Sequence, residues 1–379
     1  MPVLSCGGMR FQHSWDDLPW EQIPPESQRN VEDTVRRALD LGINHIETAR
    51  GYGTSEVQLG RILPGLPRDR MIVQTKVAPT ADPKEFAANF DVSMANLRLD
   101  HVDLLGIHGI NNRELLEWTL RPGGCLDEAL RLKKSGRCRH IGFSTHAPLE
   151  VIREAIATGA FDYVNLHWYW IHQHNWPAVE DATRHDMGVF IISPSDKGGR
   201  LYDPPAKLSD LCAPLDPLEF NDLFCLARPE VHTLSVGAAK PGDFDAHAGA
   251  VARISDAGGL SAPVAARLDA AMVAHHGPEW MAHWAEGIPS WQDLPGQINV
   301  HEIIRLWNFA TALDMVEFAK GRYNLLGNAG HWFPGHNAGE LDHHDLRPAM
   351  ANHAYPDRLL ATLHEARALL HGEARKRLG

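Results

Sequence analysis

Short runs of apolar and β-branched residues alternate with amphipathic helical patterns through about residue 250 of this 379-residue chain. The runs cover residues 3–8, 43–47, 71–77, 102–107, 140–143, 163–167, 188–193 and 232–236. Such alternation builds a parallel sheet, because each crossover between parallel strands needs a connection as long as a helix. Eight strands in roughly 240 residues favour a closed (β/α)8 TIM barrel over an open doubly wound sheet. The chain also lacks the GxGxxG turn of a Rossmann unit.

The pattern changes after about residue 255. Periodic apolar residues over 264–272, 300–318 and 359–370 predict helices, and the stretches between them contain no convincing strand. A (β/α)8 barrel takes about 250 residues, so the remainder needs another place in the fold. We therefore expect two parts: a barrel over residues 1–255 that carries the active site, and a helical C-terminal extension over residues 256–379.

Charge, hydropathy and cysteine content limit the class of protein and its partners. The net charge is −12 and no basic stripe is present, which argues against a nucleic-acid or anionic-membrane partner. No apolar run is long enough to cross a bilayer. The five cysteines are scattered without a CxxC pair, which favours buried thiols in a reduced, cytoplasmic protein.

Four residues of reactive type fall at predicted strand ends or in the loops that follow, where barrels of this kind place their reactive groups. Glu47 ends the second strand, Tyr52 lies in the next loop, Lys76 ends the third strand and His108 ends the fourth. The segment 42–63, GINHIETARGYGTSEVQLGRIL, resembles the aldo/keto reductase signature GINxxDTAxxYGxSExxLGxxL. The four residues likewise resemble the Asp, Tyr, Lys and His tetrad of that family, in the same order.

The resemblance implies a role for each of the four. Reduction of a carbonyl needs a proton donor, and a neighbouring ammonium lowers the pKa of a tyrosine. Tyr52 would be the general acid/base, Lys76 would tune it, Glu47 would support Lys76, and His108 would orient the substrate. Glu47 departs from the family Asp by one methylene, so the geometry of its ion pair must change. The alternative is a structural ion pair, a turn tyrosine and a core histidine, although four such residues in register favour a site.

The same resemblance implies contacts to a nicotinamide cofactor. Ser144 matches the serine of the family IGxSN segment, Thr145 replaces its asparagine, and Asn165 takes the place of the glutamine that grips the nicotinamide amide. Lys240 suits a 2′-phosphate, whereas Asp243 suits a free ribose hydroxyl, and NADP(H) is favoured over NAD(H). The full set of expected cofactor residues is Gly8, Met9, Ser144, Thr145, Asn165, Ser193, Ser195, Lys197, Gly198, Gly199, Arg200, Gly237, Lys240 and Asp243.

Four tryptophans near the expected barrel mouth predict an aromatic substrate pocket, although some of them could instead pack the extension. They are Trp15, Trp20, Trp168 and Trp170. The family resemblance implies an aldehyde or ketone substrate, or the corresponding alcohol, and an aromatic-lined pocket would suit an apolar or sugar-derived one.

The C-terminal extension resembles the ferredoxin-like tails of one aldo/keto reductase subgroup, through the segment PGQINV at 295–300. No cysteine follows Cys225, and iron–sulfur clusters need thiolates, so we expect a remnant without a cluster. His343 and His344 lie between two aspartates, but no HxxxH or HExxH spacing supports a metal site, and none is expected.

These features predict an NAD(P)(H)-dependent oxidoreductase that interconverts a carbonyl and an alcohol, with no nucleic-acid, membrane or metal partner. Two alternatives stay open. One is a non-catalytic nucleotide-binding sensor with the same fold, and the other is a lyase or epimerase that recycles its bound cofactor. The oligomeric state is also open.

Overall fold

Eight parallel strands close into a barrel in the computed structural model, which describes residues 1–377. Each strand pairs with its neighbour in sequence, and β1 pairs with β8. The predicted (β/α)8 barrel is therefore confirmed. The strands are β1 (Leu4–Gly7), β2 (His45–Glu47), β3 (Ile72–Val77), β4 (Val102–Ile107), β5 (Cys138–Ser144), β6 (Tyr163–Leu166), β7 (Gly188–Ile192) and β8 (Thr233–Val236).

Helices connect the strands and continue beyond the last one. Those up to the end of the barrel are α1 (Pro25–Asp40), α2 (Ser55–Leu59), α3 (Pro83–Leu97), α4 (Arg113–Leu120), α5 (Cys125–Lys134), α6 (Leu149–Ala157), α7 (Trp176–Arg184), α8 (Ala206–Cys212), α9 (Pro217–Leu226) and α10 (Asp245–Val251). The C-terminal helices are α11 (Ala257–His276), α12 (Pro278–His283), α13 (Val300–Leu313), α14 (Val316–Tyr323) and α15 (Pro356–Leu370). Within residues 1–377, no helix has both the length and the apolar character needed to cross a bilayer.

The chain forms two compact units. Unit 1 comprises Met1–Gly198 and Leu218–Ser261 and contains the barrel, while unit 2 comprises Gly199–Pro217 and the chain from Ala262 onward. Unit 2 is helical, so the predicted C-terminal helical extension is present. The single helix predicted over 300–318 is wrong, because Asp314 adopts a left-handed φ of 58° that ends α13 before α14 begins. Aspartate tolerates this conformation better than most residues, which explains why the apolar pattern could run through the break.

The barrel interior changes from apolar to polar along its axis. An apolar layer packs Leu104, Tyr163 and Phe190 together with Ile72. Gly142 makes room for this layer, because a Cβ at that position would lie 2.5 Å from the Tyr163 ring. Interior polar side chains come next, and they lead to the carboxyl ends of the strands.

The polar part of the interior is a short hydrogen-bonded chain. His45 Nε2 lies 2.9 Å from Gln74 Oε1, and Gln74 Nε2 donates to Asn165 Oδ1 at 3.1 Å. The barrel centre is thus not closed by apolar side chains alone.

Candidate active site

The carboxyl ends of β2, β3 and β4 bring the four predicted reactive residues together. Glu47 is the last residue of β2, Lys76 lies in β3, and His108 directly follows β4, where its backbone N–H donates to Val77 O at 2.7 Å. Tyr52 lies in the turn before α2, and its backbone N–H donates to Ala49 O at 3.0 Å. Because parallel strands end at one face of a barrel, side chains distant in sequence meet there.

A buried ion pair lies at the base of this group. Lys76 Nζ is 2.9 Å from Glu47 Oε1 and 3.2 Å from Thr48 O, and the two charged side chains are 1% and 4% exposed. Ser235 Oγ also donates to Glu47 Oε1 at 2.8 Å, and Ser5 Oγ donates to Glu47 Oε2 at 3.4 Å. The longer acid at position 47 therefore pairs with the lysine, and two serine hydroxyls also donate to it.

The Tyr52 ring lies against this ion pair. Lys76 Nζ is 5.2 Å from the ring centroid, and its charge acts on the Tyr52 phenol. The His108 ring meets the Tyr52 ring edge-on with centroids 5.5 Å apart, and Trp15 does so at 6.2 Å. The site thus places a phenol between an ammonium and an imidazole.

Burial and charge have opposite effects on the ionisation of the three partners. Burial raises the pKa of Tyr52, and this outweighs the lowering that Lys76 causes, so the net shift is upward. Lys76 lowers the pKa of the Tyr52 phenol, as predicted, but this effect is smaller than that of burial. The sequence alone did not show that the Tyr52 phenol would be desolvated by burial.

The two charged members of the site stay charged. Burial opposes the ammonium of Lys76, but the Glu47 carboxylate and Tyr52 hold its pKa above the ordinary value. Burial likewise opposes the carboxylate of Glu47, yet Lys76 holds the pKa of Glu47 below the ordinary value. At neutral pH the site therefore contains a protonated phenol beside a fixed positive charge, which is the arrangement of a proton donor.

Three residues predicted to hold the nicotinamide amide lie at the ends of β5 and β6. Ser144 Oγ accepts from Gly109 N at 2.9 Å, which leaves its hydroxyl proton able to donate. Thr145 Oγ1 donates to Ile110 O at 2.7 Å and accepts from Ala147 N at 3.0 Å, so its hydroxyl already serves the local turn. Asn165 Nδ2 is buried and has no hydrogen-bond partner among residues 1–377. The Asn165 Nδ2 amide can therefore donate a hydrogen bond to a bound group.

Six of the expected cofactor residues lie between positions 193 and 200, in the loop that follows β7. Ser193 adopts a left-handed φ of 52°, and Gly198 cannot carry a side chain, because its Cβ would lie 1.8 Å from Pro194 O. Lys197 Nζ lies 3.5 Å from His146 Nε2. Gly199 and Arg200 belong to unit 2, where Arg200 Nη2 pairs with Asp203 Oδ2 at 2.8 Å.

A buried hydrogen-bonded relay supports the loop in unit 1. Ser195 Oγ lies 3.2 Å from His247 Nε2, and His247 Nδ1 lies 2.5 Å from Asp222 Oδ2. The three side chains are 6%, 2% and 1% exposed. Sequence reasoning missed Asp222 altogether, because these residues come from three separate segments and share no spacing pattern.

The remaining predicted cofactor residues lie after β1 and β8. A Cβ on Gly8 would lie 2.5 Å from Ser55 Oγ, and Met9 is half-buried. Lys240 is exposed, whereas Asp243 Oδ2 accepts from Ala239 N at 2.8 Å and so stabilises its own turn. Gly237 O accepts from Arg10 Nη1 at 3.0 Å, and this arginine was not among the expected residues.

The four predicted pocket tryptophans differ in their surroundings. Trp15 contacts Tyr52, and Trp20 carries the Arg61 guanidinium 4.4 Å from its ring centroid. Trp168 is 2% exposed and stacks on Phe224 at 5.0 Å, while Trp170 is 7% exposed. Trp15 thus lies against the Tyr52 group, whereas Trp168 and Trp170 pack in the interior of unit 1.

Comparison with known sequence families assigns the chain to one of them. A sequence model described as the aldo/keto reductase family matches residues 3–199, just over half of the chain. The chain belongs to the aldo/keto reductase family.

Curated relatives in this family are similar over part of their length. L-galactose dehydrogenase of Arabidopsis thaliana is 30% identical over 190 residues, which cover 45% of this chain and 56% of that protein. L-glyceraldehyde 3-phosphate reductase of Escherichia coli K12 is 29% identical over 151 residues, which cover 34% of this chain and 41% of that protein. The chain thus spans about half the length of the curated relatives it matches.

Solved aldo/keto reductases share the fold. The holo form of one from Bacillus halodurans superposes with a TM-score of 0.54 at 21% identity, covering 68% of this chain and 91% of that one. One from Klebsiella pneumoniae in complex with NADPH gives a TM-score of 0.52 at 19% identity, covering 66% of this chain and 86% of that one.

His343 and the two aspartates near it in the extension have local partners. His343 Nδ1 lies 2.6 Å from Glu340 Oε2, and Asp342 and Asp345 pair with Arg367 and Arg347 at 2.8 and 2.9 Å. Within residues 1–377, no group of three or more His, Cys, Asp or Glu side chains is arranged to hold a metal ion. All five cysteines are buried, as expected for the thiols.

Proposed function

We propose that this aldo/keto reductase interconverts a carbonyl compound and an alcohol with a nicotinamide cofactor, and that Tyr52 is the general acid/base. The observation that supports this most directly is the buried phenol of Tyr52 next to the Glu47–Lys76 ion pair and the His108 ring. Residues 1–255 carry the reaction in this proposal. The C-terminal extension holds no iron–sulfur cluster in it, because no cysteine follows Cys225.

The roles of the chain's own residues follow from their charges. A nicotinamide cofactor, when bound, would supply hydride to the carbonyl carbon in reduction and would accept it from the alcohol carbon in oxidation. Tyr52 donates its hydroxyl proton to the carbonyl oxygen as negative charge develops there, and takes it back in the reverse direction. The ammonium of Lys76 stabilises the phenolate that this leaves, and Glu47 keeps Lys76 charged and in place. His108 hydrogen-bonds the same oxygen and aligns the substrate.

Two side chains that can donate hydrogen bonds, Asn165 and Ser144, support cofactor binding. Asn165 Nδ2 would donate to the carboxamide oxygen of the nicotinamide, and the Ser144 hydroxyl would donate beside it. Lys197 would add positive charge to the loop that follows β7. NADP(H) is the cofactor that we infer, with Lys240 at its 2′-phosphate, and the Klebsiella pneumoniae neighbour is in complex with NADPH.

The substrate that we infer is a small aldehyde or ketone derived from a sugar, or its alcohol. The two relatives above are named for L-galactose and for L-glyceraldehyde 3-phosphate. Trp15 beside Tyr52 offers a flat apolar face of the kind that packs against a sugar ring.

The test is the Tyr52→Phe variant, with Tyr355→Phe in unit 2 as the matched control. We expect Tyr52→Phe to lower kcat/KM by about 10²–10⁴-fold, because it removes the proton donor, while the nucleotide dissociation constant stays unchanged. Turnover is followed by nicotinamide absorbance against a panel of sugar-derived carbonyls, and binding by tryptophan fluorescence. Full activity in Tyr52→Phe contradicts the assigned role.

The alternatives give different results in the same assays. A sensor would bind nucleotide without turnover in the unmodified protein. A lyase or epimerase would form product without net change in nicotinamide absorbance. Binding of neither NADPH nor NADH would overturn the proposal as a whole.

Cofactor preference is tested separately with two single variants. Lys240→Ala should weaken binding of NADPH and leave binding of NADH unchanged, since only NADPH carries the 2′-phosphate. Asp243→Asn should strengthen binding of NADPH, because it removes a negative charge near Lys240. Equal effects on both nucleotides would contradict the placement of the 2′-phosphate.

A further inference from the structure

Two serines on neighbouring strands hold the acid of the ion pair. Ser5 in β1 and Ser235 in β8 are partners in the barrel register, and they are 0% and 6% exposed. Ser235 Oγ donates to Glu47 Oε1 at 2.8 Å, and Ser5 Oγ donates to Glu47 Oε2 at 3.4 Å. Neither serine contributes to the roles assigned to the four reactive residues.

The position of these serines accounts for the longer acid. Glu47 Oε1 accepts from Lys76 Nζ of β3 at 2.9 Å and from Ser235 of β8 at 2.8 Å. An aspartate on the same backbone is one carbon–carbon bond shorter, about 1.5 Å. It could not keep both of these hydrogen-bond distances. A glutamate therefore suits this barrel, because its carboxylate accepts hydrogen bonds both from Lys76 and from the paired strands β1 and β8.

We propose that Ser235, with Ser5 beside it, is a positioning residue that clamps the Glu47 carboxylate so that one of its oxygens faces Lys76. This inference rests on the proposed function in assigning Lys76 and Tyr52 to proton transfer. Ser235 acts through Glu47 and touches neither substrate nor cofactor in the proposal.

The clamp has an electrostatic consequence. Burial has the largest effect on the pKa of Glu47 and raises it, whereas Lys76, His45 and, to a smaller extent, the hydrogen bond from Ser235 lower it. The other titratable groups whose charge interacts with Glu47 are His45 in β2, Cys6 in β1, Tyr52, and Tyr163 in β6. Loss of the Ser235 donor should therefore raise the pKa of Glu47 and weaken its hold on Lys76 as the pH falls.

A double-mutant cycle on turnover tests the clamp. Ser235→Ala should lower kcat/KM by about 10- to 100-fold, the size expected for a hydrogen bond to a charged group, and should shift the acid limb of the pH profile to higher pH. Ser235→Thr keeps the hydroxyl and should restore both. In a Glu47→Asp background, Ser235→Ala should have little further effect, because the shorter acid does not reach the serine. Ser261→Ala, another buried serine, is the matched control and should match the unmodified protein.

Two results would overturn the clamp. One is an equal loss from Ser235→Ala whether position 47 carries the native glutamate or the Glu47→Asp substitution, since a merely structural serine would act independently of the acid. The other is an unchanged acid limb in Ser235→Ala.

A second measurement needs no turnover and so separates this inference from the proposed function. The protein is labelled with ¹³C-glutamate, and the carboxyl carbon signal of Glu47 is identified as the one missing from the spectrum of Glu47→Gln. The chemical shift of this signal is then followed by NMR as the pH is changed. Its midpoint should lie at higher pH in Ser235→Ala than in the unmodified protein, and an unchanged midpoint overturns the clamp. If no carbonyl substrate is turned over, the proposed function fails, while this titration still decides whether Ser235 holds Glu47.

Discussion

The Glu47–Lys76 pair of unit 1 and the Glu302–Arg305 pair of unit 2 are both buried, yet they are built differently. Glu47 and Lys76 are 29 positions apart on neighbouring strands and share one contact of 2.9 Å. Glu302 and Arg305 are three positions apart on α13 and share two hydrogen bonds, of 2.8 and 2.6 Å. The first pair is 4% and 1% exposed, and the second is 12% and 10% exposed.

The choice of cation explains the difference. The planar guanidinium of Arg305 donates two parallel hydrogen bonds to one carboxylate, so Glu302 accepts from two of its nitrogens at once. The ammonium of Lys76 is a point charge with three donors, and it reaches Glu47, Thr48 O and Tyr52. A lysine therefore suits a place where the charge must act on a third group. An arginine suits a place where the pair only stabilises a helix.

Removal of the lysine should give the largest effect. Lys76→Met leaves the Glu47 carboxylate buried without its cation, which should lower the free energy of unfolding by about 3–5 kcal/mol. Turnover should fall by at least about 10²-fold, because the Tyr52 phenolate loses its neighbouring charge. Urea denaturation followed by circular dichroism and the nicotinamide assay measure the two effects. Near-normal turnover in a folded Lys76→Met protein would contradict the catalytic role that we propose for this pair.

The arginine pair should affect stability alone. Arg305→Met should lower the free energy of unfolding by about 3 kcal/mol, the low end for a buried pair, because both side chains keep some exposure. The kcat/KM value should not change. Replacing both partners, as Glu302→Leu with Arg305→Met, should recover most of the loss, since no unpaired charge remains. A loss of turnover greater than the loss of folded protein would refute the contrast between the two pairs.

A buried histidine next to the Glu47–Lys76 pair predicts acid sensitivity. Burial lowers the pKa of His45, two residues before Glu47, from 6.5 to about 4. Between pH 6.5 and 4 the unfolded chain binds a proton at His45 that the folded protein does not, so stability falls as the pH falls through this window. The loss should reach about 3 kcal/mol at about pH 4.

Thermal unfolding midpoints across this pH range measure the effect. His45→Gln should flatten the dependence, whereas His343→Gln, an exposed histidine of unit 2, should leave it unchanged. An unaltered pH dependence in His45→Gln would show that other groups cause the acid sensitivity.

An exposed pair should have the smallest effect and so completes the comparison. Arg37 and Asp245 are 2.7 Å apart but 42% and 61% exposed. Arg37→Ala should change the free energy of unfolding by at most about 1 kcal/mol, because water screens such pairs. The difference from the unmodified protein should shrink further in about 1 M salt. A loss as large as that of Arg305→Met would mean that burial is not what separates these pairs.

Much of the barrel was predictable because its strands are local patterns. The predicted run 102–107 coincides with β4, and 188–193 extends only one residue beyond β7. The prediction of β5 was less accurate, since the strand begins at Cys138 rather than at residue 140. The exposed residues Arg139 and His140 interrupt the apolar pattern there. The break at Asp314 was missed for a related reason, because an apolar period does not report a single left-handed residue.

The grouping of Glu47, Tyr52, Lys76 and His108 was also predictable, because strand ends in a parallel barrel share one face. Their hydrogen bonds were not. Ser5 and Ser235 are distant from Glu47 in sequence, by 42 and 188 positions, and nothing in the local pattern joins them. The same holds for Asp222 behind His247 and Ser195.

The sequence by itself determined the order of strands and helices, the closure of eight strands into a barrel, and the face on which the reactive residues lie. These properties depend on short-range periodicity and on the geometry of parallel crossovers. Only the tertiary structure decided that burial raises the pKa of Tyr52, that two serines hold Glu47, and that Trp168 packs in the interior. Desolvation and long-range hydrogen bonds exist only after the barrel has closed, so no local pattern can encode them alone.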